Sequence, residues 1–139
     1  MMYGRDEEEW QVLEDATREF LIERAKLKFL TSYTELETVL RRRTGLRGFD
    51  YKNPDERAAM GYLLGRVADA SIAETGTETS PGLMLSALVT YLNENNAGSG
   101  FFALAQERRL LEAGASKLDK EAFWVVHVQA LQDHFGKAP

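Results

Sequence analysis

The chain contains no cysteine and only two histidines in 139 residues. Without cysteine there is no disulfide scaffold, no thiolate zinc site and no cysteine nucleophile. The two histidines, His127 and His134, leave little material for a histidine-based metal centre. No apolar run approaches the roughly 18 residues that a membrane span needs. The opening stretch, MMYGRDEEEW, has no apolar core and holds four consecutive acids. It therefore predicts no secretory leader, and the expected compartment is the cytoplasm. What is present is a chain of 44% hydrophobic and 28% charged residues. That length and balance predict one domain whose core needs no covalent staple.

The net charge of −5 is unevenly spread. Residues 1–23 hold two basic and eight acidic residues, a net of −6, whereas residues 41–66 hold seven basic and three acidic residues, a net of +4. The total charge disfavours nucleic acid as a partner, and the basic middle favours it.

Apolar spacing predicts a mainly α chain. Trp10, Leu13, Phe20, Leu27 and Leu30 recur at helical intervals over 6–30, behind an acidic first turn. Ser32-x-x-Glu35 reads as a capping box opening a second helix, closed by Arg41–Arg43 and Gly45. After a loop at 45–52, Asn53-Pro54-Asp55-Glu56 starts a third helix running to about Glu74. Residues 83–92 (LMLSALVTYL) are rich in apolar and β-branched residues between turn signals, which favours a strand. A helix is the rival, since four of these apolar residues also fit a 3.6-residue period. Residues 93–100 (NENNAGSG) form a loop, 101–113 a helix ended by Gly114, and Ser116-x-x-Asp119 caps a last helix over 117–135.

This order resembles a winged helix-turn-helix: a positioning helix at 32–44, a recognition helix at 54–74, and a wing at 83–102 with its tip at 93–98. The expected architecture is one domain over 1–139. An N-terminal helix occupies 1–31, a winged-helix-like core 32–105, and C-terminal helices 106–139. Arginine suits phosphate because its planar fork binds two oxygens at once. The candidate nucleic-acid contacts are Arg41, Arg42, Arg43, Arg47, Lys52 and Arg57, with Asn95 and Asn96 in the wing loop. The same arginines could instead complement a helix end and pair with the acidic head, and the wing loop could be only a connection.

Three strings carry a family resemblance. Ser32-Tyr33-Thr34-Glu35-Leu36 resembles the "TxYGEL" opening of the DNA-binding domain of alkyltransferases and alkyltransferase-like proteins. Arg57-Ala58-Ala59-Met60-Gly61 resembles the "RAVG" start of that domain's recognition helix. Residues 85–89, followed by Gly98-Ser99-Gly100-Phe101, resemble its strand and later glycine–aromatic step. The resemblance spans about residues 31–105. It implies a winged-helix scaffold whose helix lies in the minor groove, with Tyr33 near a phosphate and Arg57 entering the stack where a base is flipped out. The family's "PCHRV" nucleophile site aligns with LSALV here, so alkyl transfer is excluded. The interval from Tyr33 to Arg57 is also about ten residues longer than the family's.

Other candidates have plainer explanations. His127 and His134 lie two turns apart, but a metal would need further ligands, and His127 between Trp124 and Leu131 suits a core edge. Ser86 lacks the G-x-S-x-G turn of a nucleophile. Gly98-x-Gly100 before a helix could expose N–H groups to an anion, without the context of a phosphate loop. No catalytic residue, metal or cofactor is expected. The expected function is non-enzymatic binding of double-stranded DNA. The alternative is a protein-interaction module, with a protein partner or a homodimer on the apolar helix stripes, and no membrane association.

Overall fold

The computed structural model describes residues 1–91 and 97–137. Five α-helices and one two-stranded sheet appear among them, so the chain is mainly helical with a small β element, as expected. The helices are α1 (Glu7–Leu27), α2 (Tyr33–Thr44), α3 (Pro54–Thr75), α4 (Ser99–Glu107) and α5 (Lys117–Gly136). The strands β1 (Thr31–Ser32) and β2 (Val89–Thr90) pair in parallel, Thr31 with Val89 and Ser32 with Thr90. No described helix is long and apolar enough to cross a membrane.

Helix α1 lies at the centre, touching α2, α3, α5 and a 3-10 turn at Leu85–Leu88. Its buried residues Trp10, Leu13, Thr17, Phe20, Leu21 and Ala25 follow the helical period. Asp6 and Glu9 form a reciprocal capping box at its start. The helix stops three residues short of the expected 30. Lys28 adopts a left-handed conformation (φ 62°) and the Phe29 N–H reaches back to the Arg24 carbonyl, closing the end as glycine usually does. Arg109 (φ 60°) does the same after α4, with the Leu110 N–H on the Ala105 carbonyl. The expected helix over 101–113 therefore begins at Ser99 and ends at Glu107.

The caps of α2, α3 and α5 stand where the sequence places them. Ser32 accepts the Glu35 N–H, Asn53 accepts the Asp55 N–H, and Ser116 and Asp119 form a full box. The box at Ser32 is half-made. The Glu35 carboxylate instead accepts the Thr31 hydroxyl and pairs with Arg24.

The expected strand at 83–92 is mostly something else. Among its described residues only Val89–Thr90 is strand, and Leu85–Leu88 is a 3-10 turn. Met84 through Thr90 are all buried. Side chains supply the backbone partners that a ladder would have given. Ser71 accepts the Leu85 N–H and donates to the Leu83 carbonyl. Thr75 accepts the Leu83 N–H, His127 Nε2 accepts the Met84 N–H at 2.7 Å, and Trp124 Nε1 donates to the Ala87 carbonyl. Beyond β2, Thr90 makes an antiparallel bridge to Ala97. The wing tip, with Asn95 and Asn96, lies outside the described residues.

Candidate nucleic-acid interface

The basic middle of the chain does not form one patch, because carboxylates distant in sequence neutralise much of it. Arg66 donates to Glu7 and Glu14, and Arg43 to Glu23 at 2.8 and 2.9 Å. Arg41 pairs with Glu37 one turn earlier on α2. Arg47 donates to Glu56 and to the Tyr3 carbonyl. Of the expected contacts, Arg41, Arg43 and Arg47 are thus engaged within the fold. Arg42, Lys52 and Arg57 are exposed with no carboxylate partner among the described residues. Arg57 donates only to the Tyr51 carbonyl, at 2.7 Å.

Arg5 is a residue that composition did not single out. Its guanidinium is fully buried, donates twice to Glu56 at 3.1 Å and once to the Gly48 carbonyl, and stacks on Phe49 at 4.1 Å. Its Nε has no partner among the described residues. Burial pushes the Glu56 carboxyl up, but Arg5 and Arg47 outweigh it and hold the group below its usual range. This cluster ties the N-terminal turn to the loop before α3 and so fixes the helix start that carries Arg57.

Arg57, Gly61 and Gly65 are spaced by four residues and share one face of α3. Beside that face lies a hollow of about 240 Å³, lined by Tyr33, Gly61, Gly65, Ser86, Gly100 and Phe101 among others. A Cβ at Gly61, Gly65 or Gly100 would meet nothing within 4 Å. Ser86 is only 6% exposed, and its hydroxyl has no hydrogen-bond partner among the described residues. Tyr33 stacks on Tyr91 at 5.1 Å, and Tyr51 donates its hydroxyl to the Tyr33 carbonyl. Burial pushes the Tyr33 phenol up to about 12, so it stays protonated and able to donate. Gly98 lets these rings close on the loop, since a Cβ there would stand 3.0 Å from Tyr91 and 3.2 Å from the Tyr33 hydroxyl.

His127 sits at the start of the 3-10 turn, between Phe101 and Phe123. Burial lowers its pKa to about 4, so it serves as a neutral acceptor. Among the described residues no group of three or more acidic or histidine side chains could hold a metal ion. Comparison with family models, curated proteins and solved structures finds no match.

Proposed function

We propose that the chain binds DNA without acting on it chemically, through the exposed face of α3, with α2 as the positioning helix of a winged-helix unit. The observation that carries this reading is the empty space at Gly61, Gly65 and Gly100. Glycine inside a helix costs roughly 0.5–1 kcal/mol relative to alanine. Nothing in the fold occupies the room these three leave, so the room suits the close approach of a ligand. Arg57 on the same face offers a phosphate partner that no carboxylate among the described residues competes for. The hollow has Tyr33 and Phe101 in its wall, aromatic neighbours for an unstacked base. The resemblance to alkyltransferase-like domains also brings Tyr33 and Arg57 to the DNA, there with Tyr33 at a phosphate and Arg57 in the stack. With leucine, serine and alanine at 85–87, the hollow holds no alkyl acceptor thiol.

Fluorescence anisotropy on a short duplex containing one unpaired base, at about 50 mM salt, tests the proposal. Wild type should bind. Arg57→Ala should weaken binding about tenfold or more, and Gly61→Leu should abolish it without lowering thermal stability. Arg43→Ala, whose parent is already neutralised, should have little effect. Absence of wild-type binding rejects the reading.

A second reading, a protein-interaction module, is favoured by Leu118, Val125 and Val126, which face outward on α5 at 76%, 55% and 66% exposure. Sedimentation of the pure chain tests a homodimer. Capture from nuclease-treated lysate, lost in Val125→Arg, tests a protein partner.

A further inference from the structure

The corner between α1 and β1 combines exposed apolar and basic side chains. Leu27 is 62% exposed and Phe29 56%, and Lys26 and Lys28, also exposed, alternate with them. The left-handed turn at Lys28 that ends α1 fixes the corner, with its N–H bonded to the Ala25 carbonyl. The nearby acids are already engaged: Glu23 with Arg43, and Glu35 with Arg24. Lys26 also acts on Glu23, but with both acids already paired to arginines the two lysines add net positive charge beside two bare apolar side chains, and the complementary partner is anionic with flat apolar faces. Phe29 precedes Tyr33 of the hollow by four residues, at most about 13 Å of extended chain.

Building on the DNA-binding reading above, we propose that the Lys26–Phe29 corner is a second DNA contact. Phe29 packs on an exposed base face or wedges beside a base step, with Leu27 widening the apolar surface, and Lys26 and Lys28 meet the flanking phosphates. Aromatic side chains serve unstacked bases in this way because every base presents a π-face. A strand that leaves one base in the hollow would present a disrupted stack within reach of this corner.

The test uses the full chain and the same duplex with one unpaired base, titrated between about 50 and 200 mM salt. Phe29→Ala should weaken binding by about 5- to 100-fold, the range for a lost stacking contact. The double variant Lys26→Gln, Lys28→Gln should reduce the slope of log affinity against log salt by about two. Both substitutions are on the surface, so thermal unfolding should coincide with wild type. If wild type binds and Arg57→Ala weakens it while both corner variants bind normally, the corner proposal is overturned and the α3 reading stands. If wild type does not bind, both fall. If the corner variants lose binding to vesicles rich in anionic lipid but keep DNA affinity, the corner serves a lipid surface and the proposal is again overturned.

Discussion

Removing Glu56 should harm the fold more than removing Arg5, although the two form one ion pair. The Arg5 side chain is 0% exposed, and its other acceptor is the Gly48 carbonyl at 3.0 Å. Glu56→Ala would leave a buried guanidinium without a counter-charge, which typically costs about 3–5 kcal/mol. Arg5→Met would leave Glu56 still paired with Arg47 at 2.8 Å and 11% exposed. It also keeps apolar volume against Phe49 and Trp10. It loses charged hydrogen bonds but also a desolvated charge, so about 1–2 kcal/mol is expected. Urea unfolding followed by tryptophan fluorescence should resolve the two, since Trp10 lies 5.4 Å from the Arg5 guanidinium and the second tryptophan, Trp124, is also buried. With a slope of about 2 kcal/mol per molar urea, Glu56→Ala should lower the midpoint by roughly 1.5–2.5 M and Arg5→Met by less than about 1 M. The double variant Arg5→Met, Glu56→Leu should be milder than Glu56→Ala alone. If Arg5→Met costs as much as Glu56→Ala, the asymmetry argued from burial is wrong.

The remaining predictions concern stability at other points of the fold. His127 has a folded pKa of about 4 against an ordinary 6.5, so the unfolded chain binds the extra proton between those values. Its stabilising contribution is complete above about pH 6.5 and is lost as the pH falls toward 4, with about 2 kcal/mol lost between pH 7 and 5. Urea melts should show this loss in wild type and not in His127→Gln, whose amide oxygen can still accept the Met84 N–H; an equal loss in both refutes it. Gly61→Ala and Gly65→Ala should each raise stability by roughly 0.5–1 kcal/mol in thermal melts, because no atom stands where the methyl would go. A loss at either position would show that the fold itself needs the glycine. Gly82→Ala should cost about 2–4 kcal/mol, since φ is +102° and the new Cβ would lie 2.6 Å from the Ile72 carbonyl oxygen. Denaturation at the wild-type midpoint would contradict that.

Helix starts were legible because their signals are local. Asn53-Pro54, Ser32 and Ser116 each place an oxygen two or three residues from the N–H it accepts. Helix ends were less legible, because Lys28 and Arg109 carry out left-handed caps that are usually glycine's. The segment 83–92 was ambiguous for a physical reason. Met84 through Thr90 are buried throughout, so neither period shows, and Ser71, Thr75, Trp124 and His127 hold the backbone from distant positions. The same distance effect hid the charge pattern. Arg66 and Glu7 are 59 residues apart and Arg43 and Glu23 are 20 apart, so a net of +4 along the chain overstated the positive surface. The hollow is not legible as a cavity in the sequence, although Tyr33 in its wall and Arg57 one turn before Gly61 both are candidates there. Ser86 reads in the sequence only as a poor nucleophile, and folding is what leaves its hydroxyl buried without a partner among the described residues.

The central claim is tested most directly by the salt dependence of duplex binding. Arg42, Lys52 and Arg57 are the candidate cations with no carboxylate partner among the described residues, and each phosphate neutralised contributes about −0.9 to the slope of log affinity against log salt. The account predicts a slope of roughly −3, deepening toward −5 if Lys26 and Lys28 also engage, and a decrease in steepness of about one in Arg57→Ala. A flat salt dependence, or no binding at about 50 mM salt, would contradict it.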